Sequence, residues 1–218
     1  MRHELRSFAG AESLAFAAAD LVSETVEGAV TASGRCSIAV SGGTTPTLML
    51  ADLAGRDLAW EAVTVFQVDE RVAPLGDSAR NLTALMPTLG RTRAAIEPMP
   101  VNDADLTGAA RRYSESLPEH FDLVHLGLGP DGHTASLVPD DADLEDDTDL
   151  VTLTGLYQGH RRMTLTYPAL ARARLLVWLV AGAEKHDALE RLLGGDTSIP
   201  AGRVSADRSI VLADAAAL

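Results

Sequence analysis

The feature that most constrains this chain is a regular alternation of short apolar runs with longer stretches of helical periodicity. Apolar residues from 11 to about 32 recur every three or four positions, which predicts a helix that Gly34 ends. Predicted strands lie at 37–40, 63–68, 121–126, 163–166, 175–180 and 210–212, and further predicted helices run through Leu53, around 82–86, over 106–117 and over 183–193. This order predicts an α/β fold with an open, mostly parallel, Rossmann-like sheet flanked by helices on both faces.

The domain organisation follows from length and from the lack of internal divisions. The chain has 218 residues with no internal repeat and no low-complexity linker, so we expect one domain spanning residues 1–218. The nearest candidate for a linker is 140–149, where seven of ten residues are acidic. Such a run is typical of a solvated loop, and it lacks the glycine spacing of a calcium loop, so we expect no metal there.

Charge restricts the partners that this chain can bind. A formal net charge of −13 and an aromatic content of 4% argue against nucleic acid, because the surface would repel phosphates and offers few rings for base stacking. A smaller anion would need a local cluster of cations. The chain has 17 arginines and one lysine, Lys185, from which such a cluster could be built.

Several features bear on compartment and assembly. Cys36 is the one cysteine, so an intrachain disulfide is excluded and nothing argues for an oxidising compartment. The segment around Glu4 and Glu12 fits an amphipathic helix better than a signal peptide, and no apolar run approaches membrane-spanning length. We therefore expect a cytoplasmic protein that does not contact a membrane and is a monomer or a weak homodimer.

A glycine-rich turn follows the strand predicted at 37–40. Ligands of open parallel sheets bind beyond the carboxyl ends of strands, where this turn lies. In Ser41-Gly42-Gly43-Thr44-Thr45-Pro46 the glycines expose backbone N–H groups at a helix N-terminus, which is typical of an anion-binding cradle. An ordinary strand-to-helix turn is the alternative. We assign Ser41 to binding, because the surrounding residues do not form the Gly-x-Ser-x-Gly turn of a nucleophilic serine.

A second polar segment, Asp69-Glu70-Arg71, ends the strand predicted at 63–68. A carboxylate can orient a guanidinium there, and the guanidinium can then bind phosphate through two hydrogen bonds. A surface charge cluster is the alternative interpretation.

The third segment, Asp131-Gly132-His133, follows the strand predicted at 121–126. Histidine exchanges protons at physiological pH, so a histidine on a turn beyond a buried strand is a candidate catalytic group. Asp131 would fix its tautomer or support the loop. The alternative is a loop histidine that caps the next helix. None of the other five histidines has a comparable glycine-rich context.

Taken in order, five motifs resemble those of the 6-phosphogluconolactonases, which share a fold with the glucosamine-6-phosphate isomerase/deaminases. The motifs are Ser41-Gly42-Gly43-Thr44-Thr45-Pro46, Asp69-Glu70-Arg71, the run from Phe121 through Asp131-Gly132-His133 to Leu137, Arg162-Met163-Thr164-Leu165-Thr166, and Gly182-Ala183-Glu184-Lys185. The match spans nearly the whole chain. One departure is Arg80-Asn81, where the family is expected to have Ser-Asn, so a substrate role for Asn81 is left open.

The resemblance implies hydrolysis of 6-phosphoglucono-δ-lactone to 6-phosphogluconate, the second step of the oxidative pentose phosphate pathway, without a metal or an organic cofactor. By position, His133 would be the catalytic base, and Asp131 would support it. The residues expected to bind the phosphorylated lactone are Ser41, Gly42, Gly43, Thr44, Thr45, Asp69, Arg71, Arg162 and Lys185.

Two other functions fit parts of the sequence. A sugar-phosphate isomerase/deaminase would use the same cradle, but that class is expected to carry an extra carboxylate after the histidine, and Thr134-Ala135-Ser136-Leu137-Val138-Pro139 has none. A non-catalytic sugar-phosphate sensor would be expected to add a basic DNA-binding module. The acidic segment before the first predicted strand, about 36 residues long, leaves no room for one.

Overall fold

The computed structural model describes residues 2–140 and 148–218, which form a seven-stranded parallel sheet and a smaller second sheet. With strands and helices numbered in chain order, the large sheet contains Glu4–Phe8 (β1), Cys36–Val40 (β2), Val63–Gln67 (β3), Ala95–Glu97 (β5), Leu123–Gly127 (β6), Leu175–Val180 (β9) and Arg208–Asp214 (β10). Its strand order is β1-β10-β9-β6-β2-β3-β5, with every neighbouring pair parallel. The predicted α/β class and mostly parallel sheet are confirmed.

Helices cover both faces of the large sheet. They are Ala11–Ser33 (α1), Thr44–Leu53 (α2), Asn81–Leu89 (α3), Leu106–Ser116 (α4), Tyr167–Leu170 (α5), His186–Leu193 (α6) and Pro200–Arg203 (α7), with 3-10 turns at Trp60–Ala62 and Ala183–Lys185. Alternate residues of a strand point to opposite faces. In β9, Leu176 and Trp178 pack with residues of α4 and α6, whereas Val177 and Leu179 pack with residues of α1 and α2. The core therefore forms two apolar layers with the sheet between them.

Two helix ends are stabilised by residues that commonly occupy such positions, and one of them, Gly34, ends α1 as predicted. Gly34 ends α1 in the left-handed conformation, with φ of 74°, and its N–H donates to the carbonyl of Val30. The Asp105 side chain caps α4 by accepting a hydrogen bond from the Gly108 N–H. The helix predicted over 183–193 is divided, because Ala183–Lys185 is a 3-10 turn before α6 begins.

The N-terminal segment differs from the prediction. Residues 4–8 were predicted to belong to an amphipathic helix but form β1, which pairs in register with β10 at the other end of the chain. The segment is mostly exposed and shows no apolar alternation, so its strand conformation depends on that distant partner. The first strand therefore begins at Glu4, not after about 36 residues.

A second departure is the three-stranded antiparallel sheet Asp69–Arg71 (β4), Val151–Leu153 (β7) and Arg162–Leu165 (β8), in the order β4-β8-β7. Val68 joins the two sheets, because its N–H donates to Val40 of β2 and its carbonyl accepts from Leu165 of β8. Asp69 and Arg162 thereby come to the same edge of the large sheet.

Some sequence expectations concern other features of the chain. Most of the acidic stretch 140–149 lies outside the described residues. Within the described ranges, no helix is both long and apolar enough to cross a membrane. Across the same ranges, no group of three or more His, Cys, Asp and Glu side chains is arranged to hold a metal ion.

Candidate active site

The three polar segments predicted from the sequence converge on one cleft of about 420 Å³. The predicted residues that line it are Ser41, Gly42, Gly43, Thr44, Thr45, Asp69, Arg71, His133, Arg162 and Lys185. The cleft opens beyond the carboxyl ends of the parallel strands, as expected for an open α/β sheet. Asp131 does not line the cleft but stands against the ring of His133.

The glycine turn forms one wall of this cleft. Gly43 has a φ of 127°, which L side chains rarely adopt, and α2 begins at the next residue. A Cβ on Gly42 would lie 2.6 Å from Cγ of Asn81, so the backbone can approach that side chain only because the residue is glycine. The first N–H groups of α2 have no partner within the helix, and they add partial positive charge to this wall.

A buried histidine contacts Ser41 at the start of the glycine turn. His125, in β6, accepts a hydrogen bond at Nδ1 from the backbone N–H of Ser41 (3.3 Å), and the Ser41 hydroxyl lies 3.2 Å from the same atom. Burial lowers the pKa of His125 to about 3, so the ring is neutral and Nδ1 is an acceptor. The sequence around His125 gives no sign of this contact, because it joins segments that are 84 residues apart.

His133 is held by Asp131 in one tautomer. Its Nδ1 lies 2.5 Å from Oδ1 of Asp131, and its backbone N–H donates to the same carboxylate oxygen at 3.1 Å. An ionised carboxylate only accepts, so Nδ1 is a protonated nitrogen, and in the neutral ring Nε2 then carries the lone pair. A neutral imidazole in this tautomer can accept a proton at Nε2.

The environment keeps Asp131 ionised. Partial burial by itself would raise the pKa of its carboxyl group, but hydrogen bonds from the backbone and ring of His133 outweigh that effect. A further hydrogen bond, from the Tyr157 hydroxyl, acts in the same direction. The net pKa of Asp131 is therefore lowered, so a negative charge stands behind the imidazole.

Gly129 makes room for the His133 ring. A Cβ at Gly129 would lie 2.6 Å from Cγ of His133 and closer still to Nδ1 and Cε1. The loop that carries the ring is fixed by backbone hydrogen bonds from Gly129 to His133 (2.8 Å) and from Gly132 to Gly129 (3.0 Å). Gly129 therefore leaves the space that the imidazole occupies, and the hydrogen bonds of Gly129 and Gly132 fix the loop that carries it.

Two arginines give the cleft positive charge. Arg71 donates from Nη1 to the carbonyl of Ala79 (2.8 Å), and Arg162 donates from Nη2 to Oε1 of Gln158 (3.3 Å). Among residues 2–140 and 148–218, the buried Nε atoms of both arginines have no hydrogen-bond partner. Burial and the neighbouring Arg71 lower the pKa of Arg162. Two cations that line the same cleft favour an anionic ligand there.

Asp69 is buried at the base of the cleft. Its Oδ1 accepts a hydrogen bond from Nδ2 of Asn81 (2.9 Å), and its Oδ2 accepts one from the Ser136 hydroxyl (2.6 Å). Burial raises the pKa of Asp69, although the Ser136 hydrogen bond and the arginines oppose this effect. These contacts tie together the strand that carries Arg71 and the loop that carries His133.

Glu70, the middle residue of the Asp69-Glu70-Arg71 segment, binds the start of α3 and not the Arg71 guanidinium. The fully buried Glu70 carboxylate accepts hydrogen bonds from the N–H groups of Asn81 (2.7 Å) and Leu82 (2.9 Å) at the start of α3. It also lies 3.4 Å from Nε of the buried Arg80. In an extended strand successive side chains alternate, so Glu70 points away from the cleft that its two neighbours face.

Lys185 and Glu184 also line the cleft, from the 3-10 turn that follows β9. Their charged groups are 3.8 Å apart, between Nζ and Oε1. Glu184 was not predicted as a site residue, and neither was Gln158, which also lines the cleft. Glu184 lies within the Gly182-Ala183-Glu184-Lys185 motif, of which only Lys185 was predicted to bind substrate, whereas no motif marked Gln158.

Comparison with known proteins gives consistent matches along the chain. The family described as glucosamine-6-phosphate isomerases/6-phosphogluconolactonase matches residues 9–212. The chain is 38% identical to a 6-phosphogluconolactonase of Synechocystis sp., over 77% of this chain and 75% of that protein. It is 30% identical to a 6-phosphogluconolactonase of Mycobacterium leprae, over 98% and 96%. A solved 6-phosphogluconolactonase structure from Shewanella baltica has a TM-score of 0.88 at 26% identity, with 98% of each chain covered.

Proposed function

This chain belongs to the glucosamine-6-phosphate isomerase/6-phosphogluconolactonase family, and we propose that it hydrolyses 6-phosphoglucono-δ-lactone to 6-phosphogluconate with His133 as the general base. It is an enzyme of the 6-phosphogluconolactonase type, and the reaction belongs to the oxidative pentose phosphate pathway. The observation that carries the role of His133 is its Nδ1 contact with Asp131, which leaves Nε2 as a proton acceptor beside a cationic cleft.

The chemistry starts with water. Nε2 of His133 takes a proton from a water molecule as its oxygen attacks C1 of the lactone, which gives a tetrahedral intermediate and an imidazolium ion. The Asp131 carboxylate, 2.5 Å from Nδ1, stabilises that positive charge. When the intermediate collapses, the bond between C1 and the ring oxygen breaks. The imidazolium returns its proton to that oxygen, which becomes the C5 hydroxyl group of 6-phosphogluconate.

Binding of the phosphate group positions the lactone. In this proposal the phosphate is bound by the backbone of Gly42, Gly43 and Thr44 together with Arg71, and Arg162 and Lys185 bind phosphate or substrate oxygens. The positions of Arg71, Arg162 and Lys185 in the lining of the cleft support this assignment. Binding energy from the remote phosphate would bring C1 to His133, which lowers the barrier for the chemical step.

In this proposal several of the predicted site residues support the site and do not contact the substrate. Asp131 orients the base, and Ser41 is held by His125 at the end of β2. Asp69, which accepts hydrogen bonds from Asn81 and Ser136, fixes the floor of the cleft. Thr45 lies in the first turn of α2 and lines the same wall as the cradle.

A lactonase assay corrected for spontaneous ring opening tests the proposal. The phosphorylated lactone should be hydrolysed much faster than glucono-δ-lactone at equal concentration, because only the first can use the cationic cleft. Equal rates on both lactones would contradict the assigned substrate. Release of ammonia from glucosamine 6-phosphate, without lactone hydrolysis, would instead assign the isomerase/deaminase reaction.

The domain organisation, the compartment and the oligomeric state of the enzyme form part of the same proposal. We infer one domain over residues 1–218, acting in the cytoplasm on a small phosphorylated lactone, as a monomer or a weak homodimer without bound nucleic acid or contact with a membrane. The family match over residues 9–212 and the packing of both apolar layers on one sheet support the single domain. Sedimentation analysis at several protein concentrations would measure the oligomeric state directly.

A further inference from the structure

A short hairpin brings Tyr157 to the rear of the His133 ring. The backbone N–H of Tyr157 donates to the carbonyl of His160 (3.0 Å), and the N–H of His160 donates back to Tyr157 (3.2 Å). Between them, Gln158 and Gly159 have φ values of 50° and 82°, which is the backbone of a tight hairpin turn. The turn places the Tyr157 side chain beside Asp131 and His133, which precede it by more than twenty positions in the sequence.

The Tyr157 hydroxyl contacts Oδ2 of Asp131, whereas His133 contacts Oδ1. It donates to Oδ2 of Asp131 at 3.0 Å and lies 3.3 Å from Nδ1 of His133. Its ring meets the imidazole edge to face, with the centroids 5.4 Å apart. Both oxygens of Asp131 therefore accept hydrogen bonds from fixed donors, Oδ1 from His133 and Oδ2 from Tyr157.

Tyr157 is also tied to the cationic side of the cleft. The guanidinium carbon of Arg162 lies 4.9 Å from the centre of the Tyr157 ring, and Nη2 of Arg162 donates to the Tyr157 carbonyl at 3.4 Å. Partial burial and the Asp131 carboxylate raise the pKa of the Tyr157 hydroxyl, which keeps its proton available for donation. Tyr157 does not line the cleft itself.

We propose that Tyr157 is a positioning residue for the lactonase reaction, whose hydroxyl fixes the Asp131 carboxylate and so holds His133 in the tautomer with Nε2 free. The inference rests on the proposed function of His133. The Asp131 side chain is 38% exposed, so water competes for its oxygens. A fixed donor on Oδ2 prevents the carboxylate from rotating away from Nδ1, which would release the imidazole to either tautomer.

Tyr157→Phe is the matched test, because it removes the hydroxyl and keeps the ring that contacts His133 and Arg162. We expect kcat to fall about tenfold with KM changed less than twofold, since a hydrogen bond to a charged group is lost behind the base and not in the substrate site. Leu156→Ala, a change at a side chain that is 82% exposed on the same hairpin, is the control and should leave both constants unchanged.

A double-mutant cycle tests whether Tyr157 acts through Asp131. Tyr157→Phe should cost about tenfold in kcat in the natural chain but less than twofold when Asp131 is already alanine. An equal loss in both backgrounds would overturn the proposal, because Tyr157 would then act independently of the carboxylate.

A spectroscopic measurement separates this inference from the proposed reaction. Nitrogen NMR of the protein labelled in histidine should report a single Nδ1–H tautomer for His133 in the natural chain and a mixture in Tyr157→Phe. The result does not depend on which substrate is turned over, so it stands even if lactonase activity is absent. A single unchanged tautomer in Tyr157→Phe would overturn the positioning role.

Discussion

Replacing Gly129 by alanine would displace the His133 ring while leaving the backbone of its loop free of strain. The new Cβ would lie 2.6 Å from Cγ of His133, whereas ordinary contact begins at 3.4 Å, and two other ring atoms would be closer still. The φ of Gly129 is not among the positive values of the described chain, so alanine can adopt its conformation. The ring must therefore move by roughly 1 Å or more, which breaks its 2.5 Å contact with Asp131.

A displacement of about 1 Å at a catalytic group can cost on the order of 100-fold in rate, or about 2.7 kcal/mol in the barrier. We therefore expect Gly129→Ala to lower kcat about 100-fold, with KM and the affinity for 6-phosphogluconate nearly unchanged. Steady-state lactone hydrolysis and calorimetric titration with the product measure these quantities, and a thermal melt checks folding. Gly28→Ala in α1, where a Cβ meets nothing within 4 Å, is the matched control. A folded Gly129→Ala protein with more than half of the normal kcat would refute the role assigned to the ring position.

Three further predictions concern other groups. Arg71→Ala should raise KM for the phosphorylated lactone about 10- to 100-fold, which corresponds to the loss of one hydrogen bond to a charged group. Turnover of glucono-δ-lactone should stay nearly unchanged, and equal losses on both substrates would contradict a phosphate contact. Burial lowers the pKa of His125 from 6.5 to about 3, so between these pH values the unfolded chain binds a proton that the folded chain does not. The free energy of unfolding should therefore fall by about 1.4 kcal/mol for each unit by which the pH is lowered across this range. Urea titrations of the natural chain and His125→Asn should therefore differ in slope against pH, and parallel profiles would refute this assignment. Burial raises the pKa of the Cys36 thiol to about 12, so a thiol reagent at about pH 8 should label Cys36 only after unfolding, and rapid labelling of the native protein would contradict its inert state.

Local patterns were sufficient to predict most of the large sheet and the turns that follow its strands. The helix over residues 11–33 and the strand Leu175–Val180 carry strong periodic or continuous apolar signals, and the structure has both elements. Glycine and polar residues at strand ends indicated where the cleft would form, because topology brings the carboxyl ends of parallel strands together. The residues named in advance therefore lie around one cleft, with Asp131 directly behind it.

Features that depend on distant partners were not predictable in the same way. Residues 4–8 form a strand only because β10 provides a ladder for them, and their own sequence lacks a strand pattern. Asp69–Arg71 belongs to an antiparallel sheet whose neighbour, Arg162–Leu165, lies about 90 residues further along the chain. Tyr157 reaches His133 through a hairpin whose only local signal is Gly159. Such contacts arise when segments that are distant in the sequence pair in the fold, so no single window of sequence predicts them.

The most direct test of the central claim is the rate of 6-phosphoglucono-δ-lactone hydrolysis by His133→Ala, corrected for spontaneous opening and paired with a binding titration of 6-phosphogluconate. General acid–base catalysis is typically worth about 10²- to 10⁴-fold, so kcat should fall within that range while the affinity for the product remains close to normal. A folded His133→Ala enzyme with near-normal turnover would contradict the assignment of His133 as the base.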